Sequence, residues 1–327
     1  QQLALAARAG RWPLGSAGTH VCERTTVSDR SMSSFRSYLR LLRIPNVFTA
    51  FANVVAGVCL ARGGRFERHD VGIVLASGCL YCAGMVWNDY YDRDIDAEER
   101  PERPIPSGEV TPFAAAALGG GLFGLGLALA SMHGALSLLC AVLLCATILL
   151  YDASLKASAF GPWAMGSCRS LNVWLGMSVA HDGLGWLAPL PLVLGLFTML
   201  ITQLSRFEVG GTAVARLQVT LNAFTGLALL GGLSLVGCAL LRSSGPLGWL
   251  LAAALFGYVL WRGRALFGPL RESATPPLLG RAIGGGILLM PAIDAAFVAA
   301  SGAPLAAAAV LAFIAPAWLL KRWYYLT

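Results

Sequence analysis

The sequence predicts an all-α polytopic membrane protein. Three observations carry that expectation. Of the 327 residues, 57% are hydrophobic and only 13% charged, too few charges to cover a soluble globule of this size. Mean hydropathy is +0.67. Apolar stretches rich in Ala, Leu and Gly recur from residue 45 to residue 320, and about 20 such residues span a bilayer as a helix. Ten candidate spans follow in order, at roughly 45–62, 71–88, 112–131, 135–151, 160–180, 184–204, 219–241, 246–262, 282–300 and 303–320.

The signals at the ends of these spans agree with their limits. Thr111 followed by Pro112 reads as the N-cap and first residue of the third helix. The Gly-rich runs at 119–126 and 284–286 read as close helix packing. Trp318, Trp323, Tyr324 and Tyr325 read as an interfacial aromatic belt. Of the 24 Lys and Arg residues, 19 fall in the N-terminal segment, the even-numbered loops and the C-terminus, and four (Arg62, Arg65, Arg68, Arg242) on the opposite side. Cytoplasmic loops hold the excess of positive charge. A cytoplasmic N-terminus in a bacterial inner membrane is therefore expected, with membrane lipids as surroundings.

Neither nucleic-acid binding nor thiol chemistry accounts for the +7 net charge and the cysteines. No basic face interleaves with aromatics, so no nucleic-acid partner is expected. The eight cysteines lie almost all inside apolar runs, and the lone Cys79-x-x-Cys82 pair has no second pair to complete a metal site. His20, His69, His133 and His181 fall in the N-terminal segment or in outer turns and are expected at the surface without a catalytic role. Residues 1–35 are expected to be a disordered extension, with Met32 as an alternative start, followed by one membrane domain over 36–327.

The informative stretch is Trp87–Val110, WNDYYDRDIDAEERPERPIPSGEV, which holds eight of the seventeen acids on the expected cytoplasmic side. If the second helix continues past the membrane face, Asn88, Asp92 and Asp96 recur every four residues along one face. Oxygen ligands without thiol or imidazole suit Mg²⁺, which takes one or two carboxylates and the oxygens of a bound phosphate ester. Asp89 with Arg93 reads as a structural i, i+4 pair. Pro101, Pro104 and Pro106 then stop the helix. Arg100 and Arg103 either pair with diphosphate oxygens or merely mark the cytoplasmic face.

The combination NDYYDRDID…RPERPIPSG resembles the first signature of the UbiA superfamily of intramembrane prenyltransferases, an NDxxDxxxD motif followed by an RPxPSG-like loop. Asn88, Asp89, Asp92 and Asp96 fill the first part, and Arg103, Pro104, Pro106, Ser107 and Gly108 the second. RIPNVFTAFANVVAG, with Arg43, looks like the start of that family's first helix. The resemblance implies nine to ten transmembrane helices around a central cavity, Mg²⁺ as cofactor, an isoprenyl diphosphate as donor and a hydrophobic acceptor of unknown identity, aromatic or lipid. It implies metal binding by Asn88, Asp92 and Asp96, and catalysis by Asp92, Asp96 and Lys156.

Four further positions extend the expected site. Tyr151 and Lys156 in YDASLKAS resemble the family's tyrosine and basic residue after its fourth helix. Arg169, inside the fifth span, carries a charge that costs about 2.5–3.5 kcal/mol at a helix centre. It either lines the cavity or makes a structural contact, as does Asn172 one turn on. The family's second acidic motif, DxxxD, should stand near 200–212, where LITQLSRFEVGG offers only Glu208. Glu208 either anchors a weak second ion or pairs with Arg206 or Arg216. This departure is similar to the divergent EboC-like subgroup, and it keeps a UbiA-type terpene cyclase and a non-catalytic carrier of a prenylated metabolite as alternatives.

Overall fold

A computed structural model describes residues 27–180, 185, 187–210, 214–242, 244–316 and 319. They form α1 (Val27–Leu42), α2 (Ile44–Ala61), α3 (Val71–Tyr91), α4 (Arg93–Glu99), α5 (Pro112–Ser131), α6 (Ala135–Leu150), α7 (Gly161–Met177), α8 (Pro191–Gly210), α9 (Val214–Leu241), α10 (Pro246–Phe267), α11 (Pro276–Ala300) and α12 (Pro304–Ala312). No strand occurs among the described residues. A helix stands at each of the ten places expected for a span. Among the described residues, seven of these helices are long and apolar enough to cross a membrane; α7, α8 and α12 are the others, α7 being 17 residues long.

The order of burial explains the layering. In α2 and α11, 67% of the apolar window is buried within the protein, against 11% in α10. The first two are therefore the centre of the bundle, and α10 faces lipid. Around them α3 packs on α5, α6 on α7, α7 on α8, and α10 on α11.

Backbone approach decides the tightest of these contacts. A Cβ on Gly57 would stand 2.2 Å from the Val173 carbonyl oxygen, and one on Gly176 would stand 2.1 Å from that of Val54. The glycines therefore let α2 and α7 touch along their backbones. Gly166 and Gly195 do the same for α7 against α8. In the expected Gly-rich runs only part of the set is used so: Gly119, Gly126, Gly285 and Gly286 meet neighbours, whereas Gly120, Gly121, Gly124 and Gly284 face open space.

The loops gather at two ends. One end joins α1, the α4–α5 loop and the α6–α7 turn through Arg40–Glu109, Arg103–Asp96 and Lys156–Asp92. The other joins the α2–α3 loop to Val179, and α9 to Leu60, through Arg62 and Arg242. This is the division that the arginine distribution anticipates. α1 runs across the expected boundary at residue 35, because helix begins at Val27; residues 1–26, the Trp318–Tyr325 belt except Leu319, and His181 lie outside the described residues.

Candidate active site

The acidic stretch forms where α3 runs out of apolar residues. The helical hydrogen bonds continue through Asp92 N–H to Asn88 O and Asp96 N–H to Asp92 O, but Asp92 stands between the two helices at φ −83°, ψ −5°. That break divides the stripe. Asn88 and Asp92 face the turn after α6: Asn88 donates to Asp152 Oδ1 at 3.0 Å, and Lys156 donates to Asp92. Asp96 turns instead toward Arg103, which binds its Oδ2 at 2.5 Å and Asp89 Oδ1 at 3.3 Å. Both carboxylates are buried.

Asp89 is therefore a correction to the sequence reading. Arg93 points away to the Tyr90 carbonyl and ring and to the exposed Asp94, while Asp89 takes Arg43 at 2.5 Å. Arg43 sits at the start of α2 in the left-handed region, φ 48°, and also reaches Asn88 Oδ1 at 3.4 Å. The proline-rich loop folds back over this cluster. Val110 N–H bonds Pro104 O, Gly108 takes φ 77°, and Ile105 and Val110 pack under Leu41, Val86 and Ala115. Thr111 caps α5 through the Ala114 N–H, as expected. Ser37 and Arg40 of α1 both donate to Glu109 and hold its carboxyl below the usual glutamate range.

α6 ends in a π-helical turn, Tyr151–Leu155, closed by Lys156 N–H to Tyr151 O. Turns of this type are frequent at functional sites. Here it stacks Tyr151 and Lys156 five residues apart on one side and brings Asp152 to Asn88. Arg206 of α8 clamps the turn from below by donating to the carbonyls of Lys156 and Ser158, at 2.8 and 2.5 Å. Arg206 is therefore occupied by backbone. The Glu208 side chain lies outside the described residues.

Behind this mouth is a cavity of about 260 Å³ between α2, α3, α6 and α7. Arg43, Asn88, Asp152 and Tyr151 line one end, and Arg169, Asn172 and Tyr81 line its depth. Leu144, Ile148, Met85 and Met165 make the rest largely apolar. Arg169 both lines the cavity and makes a structural contact: it donates to Asn53 Oδ1 at 2.8 Å and Thr49 Oγ1 at 3.3 Å, and Asn53 donates in turn to buried Asp294. Asn172 is held by Ser77 and the Ala50 carbonyl.

The structure thus gathers Arg43, Asn88, Arg169 and Asn172 around one cavity, leaves the Lys156–Asp92 pair outside its lining, and sets Asp96 and Arg103 apart as a part-buried ion pair. The sequence reading missed Asp152, Arg206, and the Asn53–Asp294 pair. Asp152 carried a signal, being an acid adjacent to Tyr151 at the end of an apolar run.

A model of the UbiA prenyltransferase family matches residues 50–279. The chain belongs to the UbiA prenyltransferase family. Curated members similar to it are named digeranylgeranylglyceryl phosphate synthase: one from Metallosphaera sedula, 32% identical over 53% of this chain, and one from Methanopyrus kandleri, 35% identical over 44%. The chain spans 61% and 55% of the length of these two relatives. Among solved structures, one described for the biosynthesis of digeranylgeranylglyceryl phosphate synthase in membranes covers 83% of this chain and 99% of its own at TM-score 0.63 and 19% identity. A UbiA homologue from Archaeoglobus fulgidus bound to GPP and Mg²⁺ covers 84% and 99% at TM-score 0.59 and 18% identity. These likenesses establish a UbiA fold for this multi-pass membrane protein.

Proposed function

We propose that the chain is a Mg²⁺-dependent intramembrane prenyltransferase that moves an isoprenyl group from a prenyl diphosphate to a lipid acceptor. The observation that carries this reading is the placement of Arg43, Asn88 and Asp152 at one end of a cavity whose walls also include Leu144, Ile148, Met85 and Met165, with the Lys156–Asp92 pair nearby. Anion-binding groups at one end and hydrocarbon walls beyond it match a diphosphate with an isoprenoid tail. The relatives' name favours an acceptor of the glyceryl phosphate class over an aromatic one.

Asn88, Asp92 and Asp152 supply the hard oxygens that Mg²⁺ prefers and would hold it. Bound there, it would neutralise charge developing on the leaving diphosphate. Asp89 and Asp96 are better placed as anchors of Arg43 and Arg103 than as ligands. Lys156 is the mobile cation of the set, half-exposed on a flexible stem; it is free to leave Asp92 for a phosphate oxygen. The apolar walls exclude water while the allylic C–O bond breaks, its electron pair departing with the diphosphate. The acceptor hydroxyl then forms the new C–O bond and loses its proton. The mouth faces the cytoplasm in this reading, which the arginine distribution supports.

The test is pyrophosphate release by purified protein from geranyl, farnesyl and geranylgeranyl diphosphate with Mg²⁺, with and without a glycerol-phosphate lipid acceptor. Acceptor-dependent release with a prenylated lipid product is expected. Release without acceptor product would assign cyclisation or hydrolysis, and binding without release a carrier.

A further inference from the structure

At the end of the bundle opposite the diphosphate cavity, the α2–α3 loop and the α5–α6 turn meet. A short 3₁₀ turn, Arg68–Asp70, brings His69 and Asp70 to the start of α3. His133 arrives from the turn after α5, its ring centroid 4.2 Å from that of His69. One nitrogen of each imidazole and a carboxylate oxygen of Asp70 lie within 4.8 Å of one another. Asp70 is wholly buried. Its Oδ2 accepts from Arg62 at 3.2 Å and from the Glu67 N–H at 2.8 Å. Its Oδ1 is buried with no hydrogen-bond partner. Buried carboxylate oxygens are otherwise satisfied, so this atom calls for a ligand.

We propose that His69, Asp70 and His133 form a binding site for a divalent transition metal, zinc by preference, that ties the two loops together. Two imidazoles and one carboxylate are a common zinc donor set, and water or the nearby Glu67 carboxylate can complete a tetrahedron. Bonds of about 2.0–2.2 Å to zinc place ligands roughly 3.4 Å apart, so the present separations of up to 4.8 Å would shorten by up to about 1.4 Å on binding. Charge permits it: Asp70 and Glu67 together outweigh the one guanidinium, Arg62, that pairs with both. Arg65 and Arg68 are exposed to solvent. His69 is exposed, which gives the ion a path in, and His133 is partly buried. Gly72 is part of the design, because a Cβ there would lie 2.7 Å from His133 Nε2. The acidic mouth and its magnesium play no part in this site.

The experiment uses untagged protein in detergent with millimolar Mg²⁺ to occupy the acidic mouth. Zinc stoichiometry is measured by elemental analysis after equilibration at micromolar zinc, and Co²⁺ is followed by visible absorption. The parent should bind one ion that His69→Ala and His133→Ala each lose, while Asp92→Asn keeps it. Gly72→Ala retains all three ligands and should lower zinc affinity by about tenfold. Zinc should also raise the thermal midpoint of the parent and not of His133→Ala, whose chelator-treated form should melt with the chelator-treated parent. Should a histidine variant fail to fold, Gly72→Ala decides. Absence of zinc uptake by the parent, or equal uptake by parent and variants, would overturn the proposal.

Discussion

The ammonium of Lys156 binds the carboxylate of Asp92 across 64 residues of sequence, joining the turn after α6 to the break between α3 and α4. Once Lys156 has left Asp92 for a phosphate oxygen, replacement by Met removes a charge-assisted bond to the donor of about 1.5–3 kcal/mol, so KM for the prenyl diphosphate should rise by about 10–100-fold. Lys156→Arg should recover part of the loss. Steady-state kinetics with farnesyl diphosphate checks both; an unchanged KM in Lys156→Met would remove Lys156 from the donor site.

Asp152 should behave as a metal-site residue. Asp152→Asn and Asp92→Asn are expected each to abolish Mg²⁺-dependent binding of a non-hydrolysable diphosphate while leaving the melting midpoint within a few degrees of the parent. Titration calorimetry with and without Mg²⁺ makes the comparison, and full binding by Asp152→Asn would return the site to the NDxxDxxxD stretch alone.

Arg103 should matter for stability first. Its removal leaves Asp96 without a cation and Asp89 with Arg43 alone, both carboxylates being buried, and breaking a buried pair on one side costs about 3–5 kcal/mol. Arg103→Ala should therefore unfold at markedly lower temperature, and Arg103→Lys, which keeps the charge but not the guanidinium whose Nη1 reaches both carboxylates, should fall between. A midpoint equal to that of the parent would contradict the pairing.

How far the sequence could lead is clearest at these residues. That Asn88 and Asp92 face one turn follows from the four-residue repeat of a helix that outlasts the membrane. Asp96 pairs with Arg103, and Asp89 with Arg43 and Arg103 in place of Arg93, because the chain breaks helix geometry at Asp92, and no pattern in NDYYDRDID marks the break. Long-range partners such as Asn53 and Asp294, 241 positions apart, leave no trace in spacing. The same holds for Gly57 and Gly176, each a lone glycine in an apolar run. By contrast, the ten helix positions and the Thr111 cap needed only local rules.

Acid should loosen α1 from the proline-rich loop. Ser37, then Arg40, hold the Glu109 carboxyl below its unfolded value of about 4.3. A group depressed on folding contributes its stability above the unfolded pKa and loses it as pH falls through the folded one. Protection factors of the α1 amides, taken against the intrinsic rate at each pH, should thus fall below about pH 4, and Glu109→Gln should show the lower protection already at neutral pH. Protection independent of pH between about 6 and about 3 would rule this out.

The π-helical turn at Tyr151–Leu155 makes the spacing of this site intolerant of length change. Five residues advance an ordinary α-helix by about 140° beyond a full turn, and the wider π turn offsets this by bonding Lys156 N–H to Tyr151 O. Deleting Ala153 would leave every chemical group of the mouth in the chain and every apolar residue of the spans intact. It would restore α-helical spacing, in which four residues advance about 40° beyond a full turn; Lys156 would keep its side, and the shift would fall on the Lys156 and Ser158 carbonyls that Arg206 holds. Lineages of this protein should accordingly accumulate substitutions at Ala153 and Ser154, which are exposed, far more readily than insertions or deletions between Tyr151 and Lys156.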